Sequence, residues 1–393
     1  MTRWLRPIVA ASMAAGLALW PGRVLTHDTE STTTTVFDRE VVGILNRHCV
    51  SCHSAGNVAV PLMTYEEAYL HARSIKTQVQ QRRMPPWSAL AGYGHFTNDN
   101  GLTAREIDFL VSWADGGKPR NAGTVFLNDP DSGVARRDVR ANADPGFHLA
   151  TVDLTRRLPP QTIPARSSLV RRVTVDLGLT RERWMQGMKY SPGERRVVRS
   201  AVFTLEQTGQ WLGSWTPWAQ GAQLPSQIAL RLPAGARIAA EIQYEGGTSE
   251  LTDEGTLDLS FGNRPGLNCE GDMTVVASRA AAPGRSSEDV LRGEIVLAQD
   301  TWFLAIRPDI TPSVTSVQVS VRRPDGGSDV LLFARDVRHD WPTPYVFSEP
   351  VVVRRGSRLS VVMHAEAGTA PTTERLIVSR CTEWSSRPIR NVP

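Results

Sequence analysis

Two thiols and an imidazole stand in one short run, Cys49-Val50-Ser51-Cys52-His53. The spacing puts the thiols one helical turn apart with the histidine directly behind them. That arrangement is suited to covalent haem attachment, in which each sulfur bonds one haem vinyl group and the histidine lies beneath the iron as its proximal ligand. A zinc half-site would need two further Cys or His ligands at short spacing, and His48, His71 and His95 offer no such pairing. A thioredoxin-like dithiol would sit beside a βαβ pattern, and none surrounds Cys49.

Iron held by His53 needs a ligand or an opening on its other side. Met84 is the candidate distal ligand, because its thioether lies in the stiff run Met84-Pro85-Pro86-Trp87 and loses little entropy on coordination. The competing account makes Met84 a core residue beside Trp87. Met63, His71 and His95 are lesser ligand candidates. Trp87 is expected to pack on the porphyrin, whereas Tyr93, His95 and Phe96 either line the haem crevice or, more simply, are ordinary loop packing.

Three helices are expected to position these groups. Phe37, Val41, Ile44 and Leu45 recur on one helical face and lead into the cysteines. Thr64 to Glu67 is a capping box followed by Ala68, Ala72, Ile75 and Val79, in a helix that must stop before Pro85. A second capping box, Thr103 to Glu106, opens a helix that buries Ile107, Leu110, Val111 and Ala114 and ends at Gly116-Gly117. Three short helices around a haem fit a small cytochrome c domain.

The N-terminus carries Arg3 and Arg6 and then an uncharged apolar stretch from Pro7 to Trp20, a secretory signal pattern. It has no clear small-x-small cleavage site before His27, so cleaved leader and retained membrane anchor both stay open. Either places the chain in the periplasm, where haem is attached to cysteines. The 393 residues suggest two or three domains, and a net charge of +4 is small for that length. Paired arginines such as Arg156-Arg157 and Arg195-Arg196 form no dense basic patch among aromatics, which disfavours nucleic acid as a partner.

After a linker rich in Asp, Asn and Gly, the pattern turns to alternation. Strands are expected over residues 169–177, 196–205, 237–244, 256–261, 316–321, 329–333 and 359–362. The expected organisation is multidomain, α plus all-β: a signal peptide or anchor over 1–30, the cytochrome c domain over 31–120, a linker over 121–145, and tandem β-sandwiches over 146–264 and 265–393. Cys269 and Cys381 are either one long-range disulfide or two unpaired buried thiols. Trp211, Trp215 and Trp218 fill sandwich cores or furnish an interface.

The segment from Arg47 through Met84-Pro85-Pro86-Trp87 to Trp113-Ala114-Asp115-Gly116-Gly117 resembles the cytochrome c module that some bacteria fuse to a copper type II, ascorbate-dependent monooxygenase domain similar to peptidylglycine α-hydroxylating monooxygenase. Arg183-Trp184-Met185 and Pro192-Gly193-Glu194-Arg195-Arg196-Val197-Val198 resemble the first sandwich of that partner. Pro324-Asp325-Gly326, Asp340-Trp341 and Arg355-Gly356-Ser357-Arg358-Leu359 resemble the second. The resemblance implies histidine copper ligands where this chain has Arg199-Ser200, Tyr244-Glu245-Gly246 and Asp309-Ile310-Thr311, leaving only His364 at a family histidine position. His148, His339 and His364 are the only histidines after the linker, too few for two imidazole-built copper sites.

Copper is therefore not expected, and one covalent haem c is. The leading expectation is a periplasmic electron carrier that serves a protein redox partner or a membrane redox complex, with the sandwiches as docking scaffold. An accessory subunit of a larger membrane-associated redox complex and a monooxygenase with a rebuilt metal site are the alternatives.

Overall fold

The structure is a computed structural model that describes residues 33–55, 59–121, 147–269, 271–279, 288–338, 341, 344–366, 368 and 372–383. The expected leader over 1–30 and nearly all of the linker over 121–145 lie outside these residues, as does His339.

A π-helical turn, Phe37–Val41, runs into α1 (Val42–His48). Both expected capping boxes are formed: Thr64 and Glu67 cap α2 (Tyr65–Gln80), and Thr103 and Glu106 cap α3 (Ala104–Asp115). Each satisfies amides that the first helical turn leaves without partners. Phe37, Leu45, Ala68, Ala72, Leu110 and Trp113 are buried together where the three helices meet. The Trp113 indole also donates to the Pro119 carbonyl at 3.1 Å, closing the end of α3.

Among the described residues strands make up 46% and helices 13%, so the body is mostly β and sandwich-like. Its first unit contains β1 (Leu154–Arg157), β2 (Gln161–Ile163), β3 (Ser168–Asp176), β4 (Arg183–Ser191), β5 (Val198–Leu205), β6 (Trp211–Trp215), β7 (Gly221–Gln223), β8 (Leu230–Leu232), β9 (Arg237–Glu245), β10 (Leu251–Asp253) and β11 (Thr256–Gly262). One sheet runs β1-β11-β4-β7, with β8 also on β4, and the other runs β3-β9-β5-β6. Met188, Tyr190 and Leu259 from the first sheet share a core with Phe203, Ile242 and Tyr244 from the second. Alternation along each strand puts these side chains inward.

The second unit contains β12 (Leu267–Asn268), β13 (Met273–Arg279), β14 (Glu288–Val296), β15 (Thr301–Asp309), β16 (Val314–Arg322), β17 (Ser328–Arg335), β18 (Tyr345–Val353), β19 (Arg358–Glu366) and β20 (Thr373–Glu383). It departs from the expected pair of separate sheets. Its strands form one hydrogen-bonded sheet, β17-β16-β19-β14-β13-β20-β15-β18, with β12 on β20. Among the described residues β14 pairs with β13 at Arg292 with Ser278 and Leu291 with Arg279. Bulges at Val319/Ser320 and Phe303/Ala305 add twist elsewhere, and the sheet curls over its own core of Phe303, Val317, Val361 and Leu376.

The connection from α2 to α3 does not stay with the helices. Its backbone adds to both ends of the second sheet, through Leu90 N to Phe333 O at 2.8 Å and Thr97 N to Val346 O at 2.8 Å. Gly94 permits the approach, since a Cβ there would lie 2.4 Å from the Leu331 carbonyl and its φ is +79°. Trp87, expected at the porphyrin, is 7% exposed and meets Tyr345 edge-on at 5.2 Å within the core of the second unit. Phe96 packs beside it, so the expected loop packing of Phe96 is packing on a distant part of the chain.

The two β units also touch. Trp215 fills the first core, whereas Trp211 packs against Ala305 of β15, and the Trp218 indole donates to the Asn98 carbonyl at 3.1 Å. Cys269 and Cys381 are joined as a disulfide beside the short β12–β20 ladder.

Candidate haem-binding site

Cys49 caps α1, and its amide donates to the Leu45 carbonyl at 2.9 Å. One further turn follows, in which the amides of Cys52 and His53 both reach the Cys49 carbonyl, at 3.1 and 2.9 Å. The turn is fixed from inside by Val50, which is 4% exposed in the helical core. Burial, with Cys52 and Glu106 adding to it, pushes the Cys49 thiol up to about 12. Burial likewise pushes Cys52 up to about 12, against a Ser51 hydrogen bond and the charges of Arg195 and Arg199. Both remain thiols at neutral pH, which does not suit a thiolate exchange site of the thioredoxin kind.

His53 is held by its backbone and by its ring. Its carbonyl accepts from Leu62 N at 2.7 Å, and its Nδ1 lies 2.7 Å from the Val60 carbonyl. A carbonyl only accepts, so Nδ1 carries the proton and Nε2 presents a lone pair. Burial lowers the proton affinity of the ring, the Val60 carbonyl opposes this, and nearby His71 lowers it further. A neutral imidazole with a fixed tautomer is the form that ligates a metal.

Met84 follows α2 after Arg82, whose φ is +51°. It lines a cavity of about 600 Å3 together with Val79, Pro85, Trp87, Leu102 and Ile107. Cys49, Cys52 and His53 do not line that cavity, so the expected proximal and distal groups do not share one enclosed space. Met63 is engaged elsewhere, its sulfur accepting from Ala55 N at 3.2 Å. The His95 carbonyl accepts from Ser348 N at 2.9 Å, which keeps its loop on the second sheet. His71 is on α2 and acts on His53 through its charge.

Where the resemblance would put copper ligands, the side chains make ionic and hydrogen-bonded contacts instead. Arg199 Nη2 lies 3.2 Å from Glu245 Oε2, joining β5 to β9. Tyr244 donates to Asp253 at 2.8 Å, and Asp309 pairs with Arg375 at 2.5 Å. Thr311 donates to Glu374 at 2.6 Å through its hydroxyl. The His364 carbonyl accepts from the Thr315 hydroxyl at 3.2 Å. Among the described residues no three His, Cys, Asp or Glu side chains are grouped as a metal site would require. The charges of Arg195 and Arg199 that act on Cys52 have no local signal in the sequence, because nearly 150 residues separate them.

No family model and no curated protein matches the chain. Among solved structures it is similar to the major capsid protein P2 of bacteriophage PM2, at 12% identity over 60% of this chain and 99% of that one, with a TM-score of 0.26. A tandem CBM22-1-CBM22-2 domain of Paenibacillus barcinonensis Xyn10C follows at 10% identity, covering 60% of this chain and 94% of the other, with a TM-score of 0.14. Oxalate decarboxylase of Bacillus subtilis has 10% identity over 59% of this chain and 78% of its own, also with a TM-score of 0.14. Scores of this size assign neither a fold family nor an activity.

Proposed function

We propose that the chain is an exported c-type cytochrome that transfers electrons through one covalent haem, with a β body resembling the copper type II monooxygenases but lacking their copper ligands. The observation that carries this reading is the 2.7 Å contact of His53 Nδ1 with the Val60 carbonyl, which leaves Nε2 to an iron. When bound, haem c supplies a one-electron ferrous/ferric couple. Cys49 and Cys52 would hold it through their sulfurs and His53 as proximal ligand, while Met84, which lines a cavity those three do not, would have to close on the iron to serve as distal ligand. Val50 and Leu45 back the cysteine turn, and Val79, Leu102 and Ile107 line an apolar wall beside Met84. Docking of a protein redox partner or a periplasmic membrane complex falls to the β body in this reading.

The test is a denaturing gel of protein matured with the bacterial c-type haem machinery, stained for peroxidase activity. Wild type should give a coloured band on the polypeptide, and Cys49→Ala/Cys52→Ala should not. An unstained wild-type lane would overturn the proposal.

A further inference from the structure

A cavity of about 330 Å3 lies where the first β unit, the second β unit and the α2–α3 connection meet. The first unit contributes Trp211 and Trp218, the second Leu304 and Phe347, and the connection Thr97 and Asn98. Among the described residues, none that lines it is charged, and Cys49, Cys52, His53 and Met84 take no part in it. Several of its polar groups are already engaged within the protein. The Asn98 side chain is held by Pro344 and Val346, the Trp218 indole donates to the Asn98 carbonyl at 3.1 Å, the Ser348 hydroxyl donates to the His95 carbonyl at 3.2 Å, and the Gln223 amide donates to the Gln186 carbonyl at 3.1 Å. Trp211 differs. It is 2% exposed, its ring packs on Val202 and Ala305, and its indole NH is buried with no acceptor among the described residues. A buried donor of this kind is costly unless something supplies the acceptor.

We propose that this cavity binds an uncharged aromatic carbonyl compound, with the ring among Trp211, Trp218 and Phe347 and the carbonyl oxygen taking the hydrogen bond of the Trp211 indole. Aromatic walls with one placed polar group, in a volume at the small end of ligand pockets, suit a molecule of one or two rings. A carboxylate finds no cation in this lining to offset its desolvation. A sugar would need partners for many hydroxyls, and too many of the lining groups already have theirs. A carbonyl asks for one donor, which is what Trp211 offers.

The test follows the indole NH signals of full-length protein carrying nitrogen-15 tryptophan as acetophenone is added, with Trp211→Phe identifying the Trp211 signal. That signal should move downfield and saturate. Toluene, which has the ring without the oxygen, should bind about three- to tenfold more weakly, and benzoate should leave the signal in place. In Trp211→Phe, read through the Trp218 signal, acetophenone should bind no better than toluene. Ser214→Leu, which reduces the space from β6, should weaken both. An unmoved Trp211 signal, equal shifts with benzoate, or a Trp211→Phe variant that still favours acceptor over hydrocarbon would overturn the inference. The haem reading is tested by the peroxidase stain and stands or falls separately.

Discussion

Arg47 and Glu106 form a 2.8 Å ion pair that ties the helix carrying the cysteines to the first turn of α3. The same carboxyl closes the capping box on Thr103 and lies 3.3 Å from His48 Nε2. Burial alone would raise its pKa, but the hydrogen bonds from Arg47 and Thr103 and the His48 charge outweigh it and bring it to about 2. A carboxyl depressed in the folded state adds stability above its ordinary value of 4.5, and that contribution is lost as pH falls from there towards about 2. Unfolding of the helical part should therefore become easier across that window, and Glu106→Gln should flatten the dependence. Thermal unfolding followed by helical circular dichroism at a series of pH values measures it.

The distal ligand is tested by substitution at Met84. Met84→Ala should abolish the weak near-infrared band of methionine-ligated ferric haem and lower the reduction potential. A band that persists in the variant would transfer the role to another methionine, Met63. His53→Ala should leave the thioether bonds in place while the ferric spectrum becomes high-spin.

Asn98 holds the α2–α3 connection to the second β unit. Its side chain donates to the Pro344 carbonyl at 2.7 Å and accepts from Val346 N at 3.1 Å, and it is 6% exposed. Asn98→Ala leaves both buried backbone groups without these partners, at a cost of about 1–3 kcal/mol. The measurable outcome is a lower denaturation midpoint together with faster proteolysis between residues 88 and 100.

Removing the Cys269–Cys381 disulfide opens a closed loop of 112 residues. The paired Cys269→Ser/Cys381→Ser variant should lose about 2–5 kcal/mol, mainly by freeing the unfolded chain. Denaturant unfolding of oxidised, reduced and variant protein compares the three directly.

The helices were legible because their signals are local: two Thr-x-x-Glu boxes and the apolar faces of residues 37–45 and 68–79 mark them without reference to the rest of the chain. The strands around Val173, Phe203, Ile242, Val319 and Val361 were legible from alternation. β14 was not, since Asp289, Arg292 and Glu294 interrupt its apolar residues, nor was β18, where Pro350 falls within the strand. At the site, the cysteines and His53 were fixed by adjacency. The Val60 contact depends on how a loop returns, and the docking of Trp87 into the second unit depends on pairing across about 250 residues. Neither has a periodicity to read.

β20 lies between β13 and β15 and is the last of the described strands. During synthesis from the N-terminal end, both neighbours would emerge well before the strand that separates them and would wait with bare edges, a state prone to sticking to other chains. Assembly of the second unit is therefore a late and all-or-nothing event, and holding chaperones should matter more for this protein's yield than the speed with which its small helical part folds.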